Sequence, residues 1–390
     1  MKELGRYKKI TKHQLAFNFD GTGALESVQT VGELEFYSWL KDKRINLLSN
    51  NKEALRDKLK ERYCYLSDEA IKINADEVVN NDDVVENEEE SVKAKYNKLK
   101  ILQSLPLEFK IRKAIQTLEA AADRYGIDNL ILAYSGGRDS EVLSHLIAHV
   151  WKKRILHIFS NTTCEYPETL QRIQEKFKEE DIDIVMVSPD MSFSQVVKRY
   201  GFPMISKNIS KSIRIYRRTK SEETAYRIKD YMERREKKWV NALECPFSEE
   251  CCEKLKKMPM RRFQKVFGYE CSIVGTLAAE SRQRTKEWVE TGCNAFNNSQ
   301  PKCMPLATWL PEDIKEYCEK YNVKINKLYQ MGYSRNGCMY CGYGCHLQGD
   351  GENRLKLLAK THPHARGVFE RNFAKYFDMM KDLGYDGFEY

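Results

Sequence analysis

The chain has 390 residues, of which 42% are hydrophobic and 31% charged, with a formal net charge of +8. That hydrophobic content is enough for a substantial core and argues against a disordered chain. No stretch approaches 18 uncharged apolar residues, and the first residues (MKELGRYKKITKHQ) lack an apolar signal-peptide core, so the sequence predicts a cytoplasmic protein without a membrane span.

Two segments precede the regularly patterned part of the chain. Residues 1–75 predict a helical N-terminal appendage, although residues 1–25 are weakly patterned and the short helical patterns run from about residue 30 to residue 75. Residues 76–92 follow, and between 76 and 90 they hold eight acidic residues and no basic one. Such a run predicts a solvated acidic linker, with a mimic of nucleic acid as the less favoured alternative.

Residues 93–300 predict an α/β domain. A helical pattern begins at Pro106 and ends at Gly126. Apolar, strand-like runs follow, separated by helical patterns, and these are 130–134, 154–160, 183–188 and 271–276. The alternation predicts a parallel sheet flanked by helices, whose ligands bind beyond the carboxyl ends of the strands. Residues 301–390 then predict a Cys-rich C-terminal region.

The first strand runs directly into the turn SGGRDS. Its glycines have no Cβ, so a phosphate could approach the backbone closely and meet the amides that begin the next helix. An ordinary turn between a strand and a helix is the alternative. The candidate nucleotide ligands of this turn are Ser135, Gly136, Gly137, Arg138, Asp139 and Ser140.

Further polar segments follow other strands. SNTTCEYPET, after the second strand, could contact a ribose or adenine edge, and GTLAAESRQR, after the fourth, offers arginines suited to phosphate or sulfate oxygens. A capping loop and a solvated helix are the respective alternatives. The additional candidate nucleotide ligands are Asn161, Thr162, Lys207, Gly275, Glu280, Arg282 and Arg284.

The 12 cysteines are concentrated between residues 245 and 345. In a chain without an export signal, such a concentration favours a metal site over disulfides. The preferred ligands are a vicinal pair and a Cys-x2-Cys pair: Cys251, Cys252, Cys338 and Cys341, with Cys245 and Cys345 as alternates. Spacing alone leaves open a zinc ion held by four thiolates or an iron–sulfur cluster.

These motifs together resemble the PAPS reductase/ATP-pyrophosphatase family, over about residues 105–346. SGGRDS is similar to the family's SGGKDS pyrophosphate loop, with Arg138 in place of Lys. Asn161, Thr163 and Leu277 depart from its other nucleotide-binding segments. The resemblance implies an adenine nucleotide alpha-hydrolase-like sheet that binds ATP with Mg²⁺, or APS or PAPS. The paired cysteines resemble those of cluster-bearing APS reductases, which implies a [4Fe–4S] cluster beside the nucleotide loop.

Three functions remain open at this point. The favoured one is ATP-dependent activation coupled to sulfur transfer, with Arg138 and Asp139 as catalytic residues. It is favoured because the family's reductases use a nucleophilic cysteine in a C-terminal Glu-Cys-Gly-x-His tail, which is not found in this sequence. A sulfonucleotide reductase would need a relocated nucleophile, Cys345 or Cys164. The third possibility is a non-catalytic nucleotide- or redox-sensing regulator.

The positive charge is concentrated in residues 207–265, which hold 18 Lys or Arg against nine Asp or Glu. Lys and Arg neutralise phosphates, so this basic insertion predicts RNA or DNA as a partner. A solvated amphipathic helix is the alternative. The residues do not identify a sulfur donor or a reductant protein.

Overall fold

The computed structural model describes residues 36–63, 92–347 and 353–384. Two compact units are each assembled from several segments of the chain. The first comprises Met1–Phe159, Gln171–Val187 and Met260–Asn326, and the second Ser160–Leu170, Ser188–Pro259 and Lys327–Tyr390. The acidic run 76–90 lies outside the described residues, and the domain boundaries derived from the sequence stay predictions.

Short strands form one seven-stranded sheet and one two-stranded sheet. In chain order they are β1 (Asn46–Leu48), β2 (Leu130–Ala133), β3 (His157–Ser160), β4 (Ile184–Val187), β5 (Met204–Ile205), β6 (Cys271–Val274), β7 (Asn294–Ala295), β8 (Lys302–Cys303) and β9 (Gly342–Tyr343). The larger sheet has the order β1-β4-β3-β2-β6-β8-β7. β2 pairs in parallel with β3 and β6, β6 with β8, and the edge strands β1 and β7 run antiparallel to their neighbours.

This order confirms the predicted α/β class with a mainly parallel sheet. From β2 the chain first builds outward through β3 and β4, and it then returns to add β6 on the other side of β2. The carboxyl ends of β2 and β6 therefore meet at the point where the strand order reverses. In open α/β sheets this reversal is where ligands bind.

Helices pack on this sheet and bury one face. Those lying mostly in the first unit are Lys52–Arg62, Val92–Ser104, Leu107–Tyr125, Arg138–His145, Met258–Phe267, Arg282–Thr291 and Pro311–Lys320, and Pro167–Glu179 spans both units. In Leu107–Tyr125 the buried Ile111, Ala114 and Leu118 recur at helical spacing. The helix ends at Gly126, whose φ of +78° suits glycine. The three-residue strand β1 was not predicted, because so short a run shows no alternation.

The second unit is mostly helical. Its helices are Phe193–Tyr200, Lys207–Arg218, Glu222–Arg235, Glu250–Cys252, Arg354–Thr361 and Pro363–Asp382. β5 and β9 pair in parallel in this unit. Its core is rich in aromatic rings, and Phe202 stacks on Phe369 and Tyr376 with centroids 5.7 and 4.6 Å apart. No helix of the described residues is long and apolar enough to cross a membrane.

His157 on β3 is a buried histidine that is kept neutral. Its Nδ1–H donates to the Ile155 carbonyl at 2.9 Å, so its Nε2 accepts from the Ser144 hydroxyl at 2.7 Å. Burial, with the nearby charge of Lys176, lowers its pKa to about 3. In the unfolded chain the His157 imidazole binds a proton as the pH falls below about 6.5, whereas in the folded chain it does so only near pH 3. This contribution to stability is complete above pH 6.5 and is lost as the pH falls toward 3.

We therefore expect His157→Gln, which cannot titrate, to make the protein less sensitive to acid. The wild-type contribution amounts to about 2 kcal/mol between pH 6.5 and pH 5, from about 1.4 kcal/mol per pH unit. Thermal unfolding midpoints of both proteins, measured from pH 7.5 to pH 5, should converge as the pH falls. Parallel curves would show that His157 is not the group responsible.

Candidate functional site

The loop after β2 has the backbone of an anion site. Gly136 has a φ of +68°, which turns the chain sharply away from the strand. Gly137 is the N-cap of the helix Arg138–His145 and has no side chain to accept from the first helical amides. The positive end of this helix therefore faces the carboxyl edge of the sheet, where a phosphate would be stabilised.

Hydroxyl groups fix the shape of this loop. The Ser140 hydroxyl donates to the Gly137 carbonyl at 2.8 Å and lies 3.1 Å from the Ser135 hydroxyl. The Gly137 amide donates to Ser135 Oγ at 3.3 Å, and Asn326 Nδ2 donates to the Gly136 carbonyl at 3.4 Å. The turn is thus held in place by the protein itself, which reduces the cost of ordering it around a ligand.

The structure brings the predicted segment after β6 against this loop. A Cβ added at Gly275 would lie 3.2 Å from the carbonyl carbon and oxygen of Asp139, so only glycine permits this approach without displacement. Burial raises the pKa of Asp139, and the charges of Arg284 and Arg138 lower it in part. Arg284 also pairs with Glu280, and Arg282 is exposed at the start of the helix Arg282–Thr291.

We expect Gly275→Ala to weaken adenine-nucleotide binding. The added methyl group must push the backbone of Asp139 by a few tenths of an ångström, which moves the helical amides that are predicted to meet a phosphate. The expected loss is roughly five- to tenfold in affinity for ATP, measured by calorimetry. Gly367→Ala, on a helix of the second unit, is the matched control and should bind ATP as the wild type does.

A buried charge network beneath the loop was missed by the sequence analysis. Glu141 is fully buried, and its carboxylate pairs with Arg172 at 2.9 Å and Lys176 at 3.0 Å. The Tyr134 hydroxyl, just before the loop, donates to the same carboxylate. Glu180 pairs with both cations. Two carboxylates thus balance two cations, as burial of charge requires.

The remaining predicted nucleotide ligands lie in the second unit. The Asn161 side chain accepts from the Thr163 amide at 2.9 Å. The buried Thr162 hydroxyl donates to Glu165 at 2.7 Å and lies 3.5 Å from Cys338 Sγ. Lys207 opens the helix Lys207–Arg218, and its charge acts on Cys252. The structure places Thr162 and Lys207 with the cysteines, and their role at a nucleotide stays a prediction.

The four preferred cysteines come together within the second unit. A hydrogen bond from Cys251, with the charges of Lys207 and Lys256, lowers the pKa of Cys252. That hydrogen bond and burial, with the nearby Cys252, Cys341 and Cys338, raise the pKa of Cys251. Segments almost 90 residues apart in the sequence thus supply thiols to one group, as the predicted ligand set requires.

Cations surround these thiols. The Cys338 thiolate, and then Glu165, Cys252 and Cys341, raise the pKa of Lys256, which is partly buried among them. Burial lowers the pKa of Arg354, but Cys341, Cys345 and Tyr166 together raise it, and the net shift is upward. Both cations would offset the negative charge of deprotonated cysteines. Neither was predicted, because each comes from outside the cysteine motifs.

The alternate cysteines differ in their surroundings. Charges near the Cys245 thiol come from Arg217, Glu244 and Asp382, with no cysteine among them. Cys345 lies 3.8 Å from the Cys341 carbonyl, and burial raises its pKa to about 11. Burial, followed by the charge of Cys338, also raises the pKa of Cys164, so this buried thiol adjoins the group.

All eleven cysteines among the described residues are free thiols. Within the same residues, no three His, Cys, Asp or Glu side chains stand in an arrangement that could hold a metal ion. Four thiolates on one zinc ion would lie about 3.8 Å apart, because each Zn–S bond is about 2.3 Å long and the geometry is tetrahedral.

Comparison with known proteins identifies a matching family. The phosphoadenosine phosphosulfate reductase domain matches residues 129–208 and 205–343. An uncharacterised protein of Methanocaldococcus jannaschii is 26% identical over 216 residues, which are 54% of this chain and 36% of that protein. An adenosine 5'-phosphosulfate reductase of Oceanobacillus iheyensis is 23% identical over 58% of this chain and 77% of its own length.

The chain spans about a third to a half of the length of the two M. jannaschii relatives that it matches. Among solved structures, a phosphoadenylyl-sulfate reductase from Candida auris, as its phosphate complex, aligns with 64% of this chain and 95% of its own. The TM-score is 0.38 at 17% identity. A likeness at that level adds nothing to the assignment of function.

Proposed function

We propose that this chain, which belongs to the phosphoadenosine phosphosulfate reductase family, is an enzyme that uses ATP to activate an acceptor for sulfur transfer. The observation that carries the proposal is the 135–140 loop at the reversal point of the sheet. There the helix Arg138–His145 begins, and the charges of Arg138 and Arg284 both act on Asp139 in its first turn. We assign this loop to the phosphates of the nucleotide.

Activation by ATP requires charge stabilisation rather than a protein nucleophile. The acceptor oxygen attacks the α-phosphorus, the bond to the bridging oxygen of the β-phosphate breaks, and pyrophosphate leaves with its Mg²⁺. Sulfide from a donor then replaces the adenylated oxygen, and AMP departs. The loop amides and Arg138 would stabilise the charge that develops on the leaving pyrophosphate, and Arg284 would keep the partly buried Asp139 ionised at the edge of the site.

Burial of the candidate nucleophiles supports this proposal over a sulfonucleotide reductase. A reductase acts through a thiolate, and reactive thiolates are partly exposed and have a lowered pKa. Cys345 and Cys164 are each 2% exposed, and burial raises the pKa of both. Neither thiol is therefore prepared for attack on a sulfonucleotide.

We also propose that the cysteine group holds a [4Fe–4S] cluster, with a zinc ion as the alternative. Each of the four thiolates of such a cluster binds a different iron, so they stand farther apart than around one ion. Cys251, Cys252, Cys338 and Cys341 would be the ligands, and Lys256 and Arg354 would balance part of the charge. When bound, the cluster would supply a centre for redox chemistry or for binding sulfide.

The proposal is tested by comparing what the anaerobically purified protein consumes. ATP binding, with pyrophosphate released only when an acceptor is added, is the expected result. Arg138→Ala should abolish that release while leaving the unfolding midpoint unchanged. Sulfite release from APS or PAPS with a dithiol would instead establish the reductase, the activity that the O. iheyensis relative is named for. ATP binding without pyrophosphate release from any acceptor tried would favour a regulator.

A further inference from the structure

A cavity of about 470 Å³ in the second unit is lined by cations. Six Lys or Arg residues border it, and no acidic residue does. The cations are Lys198, Arg199, Arg214, Arg217, Arg218 and Lys375. They come from helices Phe193–Tyr200, Lys207–Arg218 and Pro363–Asp382, so the charges converge only in the folded chain.

Five of these six cations form no ion pair with a carboxylate of the described residues. Arg214 is the exception, since it holds Glu249 at 2.6 Å and Glu250 at 3.5 Å. Arg199 and Arg218 both lie 5.4 Å from the centroid of the Tyr200 ring, and Arg218 Nη2 donates to the Arg199 carbonyl at 3.0 Å. Both guanidinium groups thus lie beside one ring, where a bound anion would offset their positive charge.

We propose that this cavity binds the phosphodiester backbone of a nucleic acid strand. Guanidinium groups match phosphate oxygens in geometry, and several cations on one face match a chain of phosphates better than a single one. The inference deepens the proposed function, since it rests on that function for making the strand the sulfur acceptor.

The cavity also reduces the number of residues in the basic insertion, 207–265, that are expected to bind nucleic acid. Of the six cations that line the cavity, only Arg214, Arg217 and Arg218 belong to residues 207–265. The following helix, Glu222–Arg235, pairs three of its four cations with its own carboxylates: Arg227 with Glu223, Lys229 with Glu233 and Arg234 with Asp230. That helix is a solvated surface, so its positive charges are not expected to bind the strand.

The test compares two double variants that remove the same charge. Arg199→Gln with Arg218→Gln changes the cavity, and Arg227→Gln with Lys229→Gln changes the neighbouring helix. Binding to a fluorescent single-stranded 20-nucleotide RNA, and to DNA of the same sequence, is measured between 0.05 and 0.3 M salt. ATP binding and the unfolding midpoint are recorded for every protein.

For the wild type, we expect the logarithm of the association constant to fall with the logarithm of the salt concentration, with a slope of about −3.5 if five cations contact phosphates. The cavity variant should lose about 1.4 of this slope and bind about 25-fold more weakly at 0.1 M salt. The helix variant should bind as the wild type does. If Arg199→Gln with Arg218→Gln lowers the unfolding midpoint, a second cavity variant, Lys198→Gln with Lys375→Gln, takes its place. Both lysines are exposed, and this variant should show the same losses of slope and affinity.

Three results would overturn the inference. Equal losses in the cavity and helix variants would mean that the whole basic surface acts without a defined site. Binding of inorganic pyrophosphate that the cavity variant loses, with neither strand bound, would make this a small-anion site. Absence of all binding would leave the cavity without a ligand. ATP binding is measured separately from strand binding. If the protein bound a strand but not ATP, the proposed function would fail and the inference about the cavity would stand.

Discussion

Replacing Glu141 by alanine is expected to lower the free energy of unfolding by about 3 kcal/mol. Its carboxylate is fully buried and compensates Arg172 and Lys176, which are 2% and 1% exposed. Removing one partner of a buried ion pair leaves a charge without compensation, at a cost of about 3–5 kcal/mol. The lower end applies because Glu180 still pairs with both cations. Urea unfolding followed by fluorescence measures the change.

The control for Glu141→Ala is Glu179→Gln on the helix Pro167–Glu179. Its side chain is 55% exposed, and its ion pair with Lys324 lies at the surface, so we expect a change below about 1 kcal/mol. Glu141→Gln should lie between the two, since an amide can still accept from Tyr134. A similar loss of stability in Glu141→Ala and Glu179→Gln would contradict the account of this network as buried and interdependent.

The sheet and the 135–140 loop were predictable because their signals are local. An apolar run followed by Ser-Gly-Gly predicts both the strand and the turn within a few residues. Gly136 has a positive φ, a backbone conformation that favours glycine. The segment after β6 was predictable in the same way. Its contact with Asp139 follows from the parallel pairing of β6 with β2.

Burial of charge was not predictable in this way. Arg172 and Lys176 look like the polar face of an ordinary helix, and only the packing of that helix on Glu141 shows that they are inside. Lys256 and Arg354 likewise carry no motif, although the folded chain sets both among cysteines. Such residues acquire their surroundings from segments far away in the sequence, which no local pattern records.

Replacing Cys338 by alanine should prevent a cluster from forming. Anaerobic reconstitution of the wild type should give a brown protein with about four iron and four sulfide per chain. Cys338 adjoins Cys251, Cys341 and Lys256, so its loss removes a ligand from the middle of the group. We expect iron to fall below about one per chain and the brown absorbance to disappear, as measured by metal analysis and spectroscopy.

The alternates supply the matched controls for this experiment. Cys245→Ala should keep its iron, because the groups acting on the Cys245 thiol include no cysteine. Cys345→Ala should also keep its iron. Arg354 interacts electrostatically with both Cys345 and Cys341, so we expect the Cys341 thiol to hold Arg354 in place after Cys345 is replaced. Iron lost from Cys345→Ala but retained in Cys338→Ala would exchange these two residues in the ligand set. A colourless wild type holding one zinc per chain would reject the cluster. The nucleotide binding proposed for the 135–140 loop of the first unit would then still be tested by its own experiment.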